Sequence, residues 1–278
     1  MTIIIPAHNE EKVIGRCLRA LIDGSDAAKL QVIVACNGCT DSTAQVARNF
    51  GSPVEVIEIA RASKPAALNA AERYASYYPR LYVDADVVLP WRSACRLAAY
   101  LDSTRYLLVA PRPVTDTSRS DALVRAFYDV WTMLPYNQVM VGTGVFGISE
   151  QARSRFAKFP EIISDDGFVR SRFSPAERAA VPDATVTVYA PRTLADLVRV
   201  KTRVRVGAHE LVRDYPNPVS SDTKSPIDIL RALPWGWTLP YKALVYMSIA
   251  AYVRARAWRM SRSSDRYGWE RDESSRLG

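Results

Sequence analysis

The sequence predicts an α/β fold built on a Rossmann-like, doubly wound and mostly parallel sheet. Short apolar runs rich in β-branched residues alternate five times with segments whose apolar residues recur at helical spacing. Strands that alternate with helices are typical of parallel sheets with helices on both faces. Ligands bind such sheets beyond the carboxyl ends of the strands, so polar residues directly after an apolar run are the first functional candidates.

The first half of the chain contains four of these strand–helix units. The predicted strands are residues 2–5, 30–36, 54–59 and 81–86. We expect Asn9 to cap the first helix and Gly24 to end it, because asparagine favours N-caps and glycine favours helix ends. A second helix is predicted at 42–50, and Pro65 suits the first turn of a third that ends at about Ser76.

The second half is less regular. Pro90 opens a helix, a strand follows at 106–110, and residues 119–134 have an amphipathic helical pattern. The glycine-rich segment 142–149 is predicted to lead from a loop into a strand. The remaining elements are a short helix at 167–173, a last strand at 185–190 and a basic helix with Arg192, Arg199, Lys201, Arg203, Arg205 and Arg213.

The C-terminal part differs in composition. Residues 235–253 are nearly apolar, and arginines follow at 254, 256, 259 and 262. A bilayer span needs about 20 apolar residues, but Lys242 interrupts the run, which favours an interfacial helix on an anionic membrane surface. A helix packed on the main domain, or on a second subunit in a homodimer, is the alternative. The predicted division is a main domain at 1–213, a helical extension at 214–260 and a disordered tail at 261–278.

The charge balance points to an anionic partner. The chain has 37 Lys and Arg against 29 Asp and Glu, a formal net charge of +8, which suits a nucleotide diphosphate, an anionic lipid surface or a nucleic acid. The Cys36–Cys39 pair has no second pair to complete a zinc site, so reduced thiols in the cytoplasm are expected. No signal peptide is expected because the first strand begins at Thr2. The predicted location is cytoplasmic, including the inner face of the membrane.

Two carboxylates directly follow the apolar residues 81–83. Asp84 and Asp86 are poorly placed for core packing, and their spacing lets both reach one hard cation such as Mg²⁺ or Mn²⁺ together with substrate phosphates. The alternative is a solvated junction between a strand and a turn. D-x-D alone is a short pattern, so other segments of the sequence are needed to distinguish a metal site from a solvated junction.

Six segments, taken in order, resemble the inverting family-two glycosyltransferases of the GT-A fold. They are IIIPAHNEE (3–11), VACNGCTDST (34–43), KPAALNAA (64–71), Asp84-Ala85-Asp86, Asp165-Asp166 and VKTRV (200–204). The resemblance covers about residues 2–213 and makes 1–213 a GT-A catalytic domain. His8 replaces the usual tyrosine and Asn37 an aspartate. Val200 and Val204 replace Gln and Trp, which argues against a processive polymer synthase.

The resemblance implies a metal-dependent, inverting transfer of a sugar from a nucleotide-diphosphate donor to an acceptor hydroxyl. The implied cofactor is Mg²⁺ or Mn²⁺, bound by Asp84 and Asp86, and the acceptor would be a glycan, a lipid-linked molecule or a small molecule. Asp166 would act as the general base and Arg203 would stabilise the diphosphate. The implied donor-binding residues are Pro6, Ala7, His8, Glu10, Asn37, Asp41, Lys64, Asn69, Asp84, Ala85 and Asp86.

These residues also have simpler structural explanations. Asn9 and Asp41 can cap helices, and Asp166 can cap the helix at 167–173. Lys64 can be a solvated lysine before Pro65, and Arg203 can belong to a solvated basic helix face. Gly142 and Gly144 would let backbone approach the acceptor closely, or simply form a tight turn.

Three other functions are each compatible with part of this pattern. A sugar nucleotidyltransferase would share the fold class and metal but normally has a glycine-rich loop with a basic pair after the first strand, which PAHNEE lacks. A glycosidase using Asp86 and Asp166 would leave the nucleotide-loop pattern unexplained. A non-enzymatic nucleic-acid-binding protein would explain the charge, but no nucleic-acid module signature is present. No nucleic acid partner is therefore expected.

Overall fold

The computed structural model describes residues 1–26, 30–134, 143–216 and 239–261. In these ranges, seven strands form one sheet in the order β3-β2-β1-β4-β6-β5-β7. The strands are β1 Thr2–Ala7, β2 Gln31–Asn37, β3 Val54–Ile59, β4 Arg80–Val83, β5 Leu108–Asp116, β6 Val145–Ile148 and β7 Arg178–Tyr189.

The predicted doubly wound, mostly parallel sheet is confirmed. β1 pairs in parallel with β2 and β4, β2 with β3, and β5 with β7. Among the described strands, β6 alone is antiparallel to its neighbours β4 and β5. The carboxyl ends of the six other strands therefore lie at one edge of the sheet, where α/β proteins bind their ligands.

Helices cover both faces of this sheet. In the described residues they are α1 Ile14–Ile22, α2 Thr43–Arg48, α3 Lys64–Ala71, α4 Trp91–Ser103, α5 Ala122–Trp131, α6 Glu150–Arg153, α7 Asp165–Ser171, α8 Leu194–Asp214 and α9 Leu239–Ser261, with a short 3-10 helix at Pro175–Glu177.

The core consists of two apolar layers separated by the sheet, because successive strand residues point to opposite faces. Ile3 of β1 packs in the layer that contains Leu18 of α1, whereas its neighbour Ile4 packs in the layer that contains Leu68 of α3 and Phe168 of α7. Burying one such side chain stabilises the fold by about 1.5–3 kcal/mol. The two layers hold the strand ends in fixed relative positions.

The C-terminal helix α9 packs on the rest of the protein along one face. Tyr246, Ile249 and Val253 are buried in a cluster with Phe127 of α5 and Leu197 of α8. The structure contains, within the described ranges, no helix of sufficient length and hydropathy to span a bilayer.

Lys242, the lysine inside the apolar run, lies beside a carboxylate of the main domain. Its Nζ is 2.7 Å from Asp129 Oδ2 on α5. The pair ties α9 to α5 in addition to the apolar contacts.

Several predicted boundaries differ from the structure at the site edge. Asn9 does not cap a helix: α1 begins at Ile14, and Asn9 adopts a left-handed φ of +51°. The Glu10 N–H donates to Thr43 Oγ1 at 2.7 Å, and this contact with the second loop keeps the segment out of the helix. Likewise β4 ends at Val83, so the D-x-D residues follow the strand rather than belonging to it.

The last strand is longer than predicted. Instead of 185–190, β7 covers Arg178–Tyr189 and pairs with β5 through residues 178–181 and 185–189. The pairing skips residues 182–184, opposite the junction of Pro111 and Arg112. Pro182 in this bulge interrupted the strand pattern, but a bulge tolerates a residue that has no N–H to donate.

Other differences are smaller. The third helix ends at Ala71 rather than near Ser76, and β5 extends to Asp116 rather than ending at 110. Gly142, residues 235–238 and the tail from 262 lie outside the described residues. The proposed division of the chain after residue 213 remains a prediction.

Candidate functional site

The loops after β1 and β2 are joined by hydrogen bonds between side chains and backbone. Asn9 Oδ1 accepts from the Thr40 N–H at 2.8 Å, and Asn9 Nδ2 donates to Thr40 Oγ1 at 3.2 Å. The Ser42 N–H donates to Glu11 Oε2 at 3.1 Å. These contacts fix the two segments in which most of the predicted donor-binding residues lie.

Asn37 and His8 belong to the same network. Asn37 is 4% exposed, and its Nδ2 donates to the carbonyl of Ala7 at 2.8 Å. His8 Nδ1 donates to the carbonyl of Asn37. Pro6 and Ala7 are buried at the end of β1. The structure therefore gathers these predicted nucleotide contacts at the ends of β1 and β2.

Asp41 is held by its own loop. Its Oδ1 accepts from the Thr43 N–H at 3.0 Å and from Thr43 Oγ1 at 2.5 Å, and its Oδ2 accepts from the Glu11 N–H at 3.1 Å. Burial would raise the pKa of Asp41, but these hydrogen bonds outweigh it and hold the pKa below its ordinary value. The observed role of Asp41 is to connect the loops at the start of α2.

Lys64 joins two acidic segments at the centre of the site. It opens α3, where Ser63 Oγ caps the helix by accepting from the Ala66 N–H at 3.1 Å. Its Nζ lies 2.7 Å from Asp84 Oδ1 and 3.2 Å from Asp165 Oδ2. Burial would lower the pKa of Lys64, but the neighbouring carboxylates outweigh burial and raise it. Lys64 is therefore a fixed cation.

The carboxylates around Lys64 repel one another. Burial is the main reason why the pKa of Asp165 is raised to about 6, and repulsion from Asp166 and Asp84 adds to it against the attraction of Lys64. The pKa of Asp84 is raised for the same first reason, with Asp86 and Asp166 adding repulsion. Asp84 and Asp165 thus lie among like charges that Lys64 only partly offsets, and a further cation would reduce this repulsion.

Asp166 lies inside α7 and is not its cap. Its Oδ1 accepts from the Gly167 N–H at 2.7 Å and from Ser164 Oγ at 3.3 Å. Both Asp165 and Asp166 occupy the first turn, where the helix dipole stabilises negative charge. The prediction that these aspartates precede the helix is therefore wrong by two residues.

Gly144, which precedes the adjacent strand β6, supports Asp84 through its backbone. Its carbonyl accepts from the Asp84 N–H at 2.7 Å, and its φ of +80° is in the left-handed region. A Cβ on Gly144 would lie 2.9 Å from Val87 Cγ1 and 3.2 Å from Asp84 Oδ2. The observed close approach is thus to the D-x-D segment, and it explains why glycine stands at this position.

Asn69 binds the backbone of Phe159. Its Nδ2 donates to the carbonyl of Phe159 at 2.8 Å, and its Oδ1 accepts from the Phe159 N–H at 2.9 Å. Both ends of the amide thus hold the segment that leads into α7. The structure does not bring Asn69 into the Lys64 cluster, although both residues belong to α3.

Arg203 lies on α8, which passes beside the start of α7. Gly207, one turn further along α8, packs so closely on Ile163 that an added Cβ would be 2.9 Å from Ile163 Cγ2. Glu210 Oε2 accepts from the Ile163 N–H at 2.8 Å. These contacts place the helix that carries Arg203 next to the residues preceding Asp165.

Arg16 is a site residue that sequence reasoning missed. Its Nη2 donates to the carbonyl of Asp86 at 3.2 Å, and its guanidinium lies 4.0 Å from the ring centre of Tyr189. An arginine within an amphipathic helix carries no local signal of such contacts. The structure alone places it beside the D-x-D segment.

The donor atoms suit a hard divalent cation. Asp84 and Asp86 offer carboxylate oxygens, the ligand type that hard divalent cations prefer. Across the described ranges, no group of three or more His, Cys, Asp or Glu is arranged to hold a metal by itself. Two carboxylates would suit Mg²⁺ or Mn²⁺ only together with further oxygen ligands, such as those of phosphates and water.

Solved structures share this fold. A mannosyltransferase from Pyrobaculum calidifontis, solved with GDP-Man and Mn²⁺, superposes with a TM-score of 0.60 over 95% of this chain and 80% of its own, at 18% identity. TarS of S. aureus with UDP-GlcNAc gives 0.56 over 95% and 74%, at 15% identity. Glucosyl-3-phosphoglycerate synthase from Mycobacterium tuberculosis, with Mn²⁺, UDP-glucose and glycerol 3-phosphate, gives 0.55 over 80% and 81%, at 17% identity.

Sequence comparison identifies the family. The 4,4'-diaponeurosporenoate glycosyltransferase of Staphylococcus aureus is 31% identical over 160 residues, which are 55% of this chain and 40% of that protein. The chain thus matches less than half the length of these curated relatives. The model of "Glycosyl transferase family 2" matches residues 2–155, more than half of the 278 residues. This protein therefore belongs to glycosyl transferase family 2.

Proposed function

We propose that the protein is a metal-dependent, inverting glycosyltransferase that moves a sugar from a nucleotide-diphosphate donor to an acceptor hydroxyl. The convergence of Lys64 with Asp84 and Asp165 at the carboxyl ends of the strands carries this proposal. β1 is the sheet neighbour of β4, and the hydrogen-bonded loops after β1 and β2 would form the rim that binds a nucleotide. The GDP-Man, UDP-GlcNAc and UDP-glucose in related folds support the donor class.

Four residues of the chain would contribute to binding the donor, each in a different way. Asp84 and Asp86 would hold Mg²⁺ or Mn²⁺, which, when bound, acts as a Lewis acid on the leaving diphosphate. Lys64 keeps Asp84 and Asp165 in place and brings a permanent positive charge to the same position. Arg203, on the adjacent helix, would add positive charge where the diphosphate forms.

Asp166 would take the proton from the acceptor hydroxyl as its oxygen attacks the anomeric carbon from the face opposite the diphosphate. Both described hydrogen bonds of its carboxylate use Oδ1, which anchors the group to the first turn of α7. An anchored carboxylate at the start of a helix keeps a constant orientation toward the acceptor. Attack from the opposite face inverts the anomeric configuration.

The acceptor would be a glycan, a lipid-linked molecule or a small molecule, and we place the enzyme at an anionic membrane surface on the cytoplasmic side. The outer face of α9 supports this location. Leu244, Met247 and Trp258 are 64%, 61% and 56% exposed, and Arg254 and Arg259 are exposed beside them. Such a mixture of apolar and basic side chains suits the interface of an anionic bilayer.

A donor screen with the full chain tests the proposal. Purified protein is incubated with nucleotide sugars and Mn²⁺, and the release of nucleoside diphosphate by slow hydrolysis is measured. Asp86→Ala should abolish the metal dependence of donor binding. Asp102→Ala is the matched control, because Asp102 is an exposed aspartate of α4.

Two outcomes would contradict the proposal. An Asp86→Ala variant that binds donor with unchanged affinity and unchanged Mn²⁺ dependence would remove the metal assignment. Release of pyrophosphate from a nucleoside triphosphate and a sugar phosphate would identify a nucleotidyltransferase instead.

A further inference from the structure

Two cysteines lie at the end of β2 and in the turn that follows it. Cys36 belongs to β2 and is 1% exposed, whereas Cys39, three residues later, is half-buried. Both side chains pack in the apolar layer that contains Leu18 of α1, so they lie on the same face of the sheet. Both thiols are free, and the function argued so far uses neither of them.

A tight turn at Gly38 separates the two cysteines. Gly38 has a φ of +57°, in the left-handed region, and its N–H donates to the carbonyl of Ile59 at 2.8 Å. A Cβ added to Gly38 would lie 2.8 Å from the Cβ of Ala62, which explains why glycine stands here. The chain therefore turns directly after β2, and the Cys36 thiol donates a hydrogen bond to the Cys39 sulfur.

The Cys39 sulfur also contacts the end of the neighbouring strand. Its thiol donates to the carbonyl of Ala7 at 3.6 Å, the same carbonyl that accepts from Asn37 Nδ2. The sulfur in turn accepts from the Asn9 N–H. Because Ala7 ends β1 and Asn9 follows it, this one sulfur connects the turn after β2 with the loop after β1.

Cys39 is the more reactive thiol of the two. The hydrogen bond from Cys36 is the main reason why the pKa of Cys39 is lowered to about 6, and the Asn9 N–H adds to it against the effect of burial. The same hydrogen bond, together with burial, raises the pKa of Cys36. A thiolate is the form that attacks a disulfide, and one lowered pKa is typical of redox-active C-x-x-C pairs.

We propose that Cys36 and Cys39 are a redox-active dithiol, which a small-molecule disulfide oxidises to an intramolecular disulfide. The Cys39 thiolate attacks the small disulfide, forms a mixed disulfide and releases one thiolate, which takes up the proton that Cys39 lost. The Cys36 sulfur then attacks the Cys39 sulfur, and its proton leaves with the second small thiol. The pair thus loses two electrons and two protons, and the small disulfide is reduced to two thiols.

The new bond should weaken nucleotide binding, an effect that rests on the proposed function of the two loops. A disulfide has no S–H to donate, so Cys39 loses its hydrogen bond to the Ala7 carbonyl. The bond also draws Cys39 toward Cys36, and with it Thr40, whose N–H donates to Asn9 Oδ1. We expect the affinity for nucleotide to fall by about 2- to 10-fold, the value of one hydrogen bond.

Redox titration of the full-length protein tests the pair. The protein is equilibrated with mixtures of reduced and oxidised glutathione, the remaining thiols are blocked with iodoacetamide, and peptide mass spectrometry locates the disulfides. A disulfide between Cys36 and Cys39 should form as the share of oxidised glutathione rises. UDP and GDP are then titrated with Mg²⁺ into the reduced and the oxidised protein after glutathione is removed. The nucleotide that binds the reduced protein should bind the oxidised protein about 2- to 10-fold more weakly.

Two variants without the pair separate this disulfide from other effects of the oxidant. Cys39→Ser keeps a hydroxyl donor for the Ala7 carbonyl, and Cys36→Ala is a second variant with a small change of volume. Neither can form the disulfide, so their nucleotide affinity should not change on oxidation. Cys95→Ser is the matched control, because Cys95 is a half-buried thiol like Cys39 but lies on α4. Its affinity should fall on oxidation as that of the original protein does.

Three results would overturn the proposal. The first is the lack of a disulfide between Cys36 and Cys39 in every mixture, even if glutathione is attached to Cys39. The second is equal nucleotide affinity of the reduced and the oxidised protein. The third is a loss of affinity on oxidation that the Cys39→Ser and Cys36→Ala variants also show.

The two proposals fail separately. A lack of metal-dependent nucleotide binding by the reduced protein would contradict the glycosyltransferase. The formation of the disulfide is measured without nucleotide, so its absence would contradict the dithiol alone.

Discussion

Asp165 and Asp166 are adjacent in the chain, but their side chains have different surroundings. Asp165 has only 5% of its side chain exposed, and its carboxylate already forms an ion pair with Lys64. Asp166 bonds to its own helix turn through Oδ1. Of the two, Asp166 is the better placed to accept a proton from a substrate, in agreement with the role that the family resemblance implies.

Asp166→Asn tests this assignment. Asparagine keeps the Oδ1 that accepts from the Gly167 N–H, so the first turn of α7 should stay intact, but its amide cannot take a proton. Turnover should fall by about 10²–10⁴-fold, the usual contribution of general-base catalysis, with donor affinity little changed. Steady-state kinetics and nucleotide titration measure the two quantities, and turnover near the original rate would leave Asp166 a structural residue of α7.

At the scale of elements, the junction of β6 with β4 orients the D-x-D segment. Gly144 precedes β6, and its carbonyl holds the Asp84 N–H directly after β4. The antiparallel register pairs Val83 with Val145, so the two segments leave the sheet together. The position of Asp84 therefore depends on the backbone of another strand.

Gly144→Ala should disturb this junction. A left-handed alanine costs about 1–2 kcal/mol, and contact with Val87 and Asp84 should add about 1–3 kcal/mol of overpacking. Urea unfolding should show the combined loss of stability, and nucleotide titration should show weaker metal-dependent binding.

Gly51→Ala is the control, because Gly51 has a φ of +63° but nothing within 4 Å of an added Cβ. It should lose only the stability that backbone strain costs and keep full donor affinity. Equal effects of the two substitutions would show that Gly144 supports its own turn and not Asp84.

At the scale of the whole molecule, the positive net charge and the exposed apolar side chains of α9 would both favour binding to an anionic membrane. A formal charge of +8 would favour the proposed contact with an anionic surface, and salt would weaken this attraction by screening it. The inner face of α9 is buried against α5 and α8, which leaves its outer apolar side chains available to a partner.

Replacing both Leu244 and Met247 with serine tests the proposed membrane contact. Each is more than 60% exposed, so folding should be unaffected, but loss of about 1.5 kcal/mol or more of apolar burial should weaken binding to anionic vesicles at least ~10-fold. Vesicle flotation at low and high salt measures this. Val212→Ser, at a position 64% exposed on α8, is the control.

Two results would count against the membrane contact. The first is a full-length protein that does not bind anionic vesicles. The second is a serine variant that floats with the vesicles as the original protein does. A dimer in sedimentation that the serine variants lose would instead assign this face to a subunit interface.

Local patterns predicted much of this architecture. Runs such as residues 30–36 are apolar and β-branched, and the helix after Pro90 has a proline start and a regular apolar period. Such signals depend on a few neighbouring residues, so they can be recognised in the sequence without knowledge of the fold. The direction of β6 could not be predicted, because a four-residue strand carries no information about which neighbours it pairs with.

By itself, the sequence determined the α/β class, the order of the elements and the segments from which the candidate site is built. Only the tertiary structure decided that Lys64 contacts Asp165 as well as Asp84, that Asn69 holds Phe159, and that Arg16 reaches Asp86 across 70 residues of sequence. Each of these contacts joins residues on different elements. They arise from how helices pack on the two faces of the sheet, and that packing cannot be predicted from local periodicity or motif spacing.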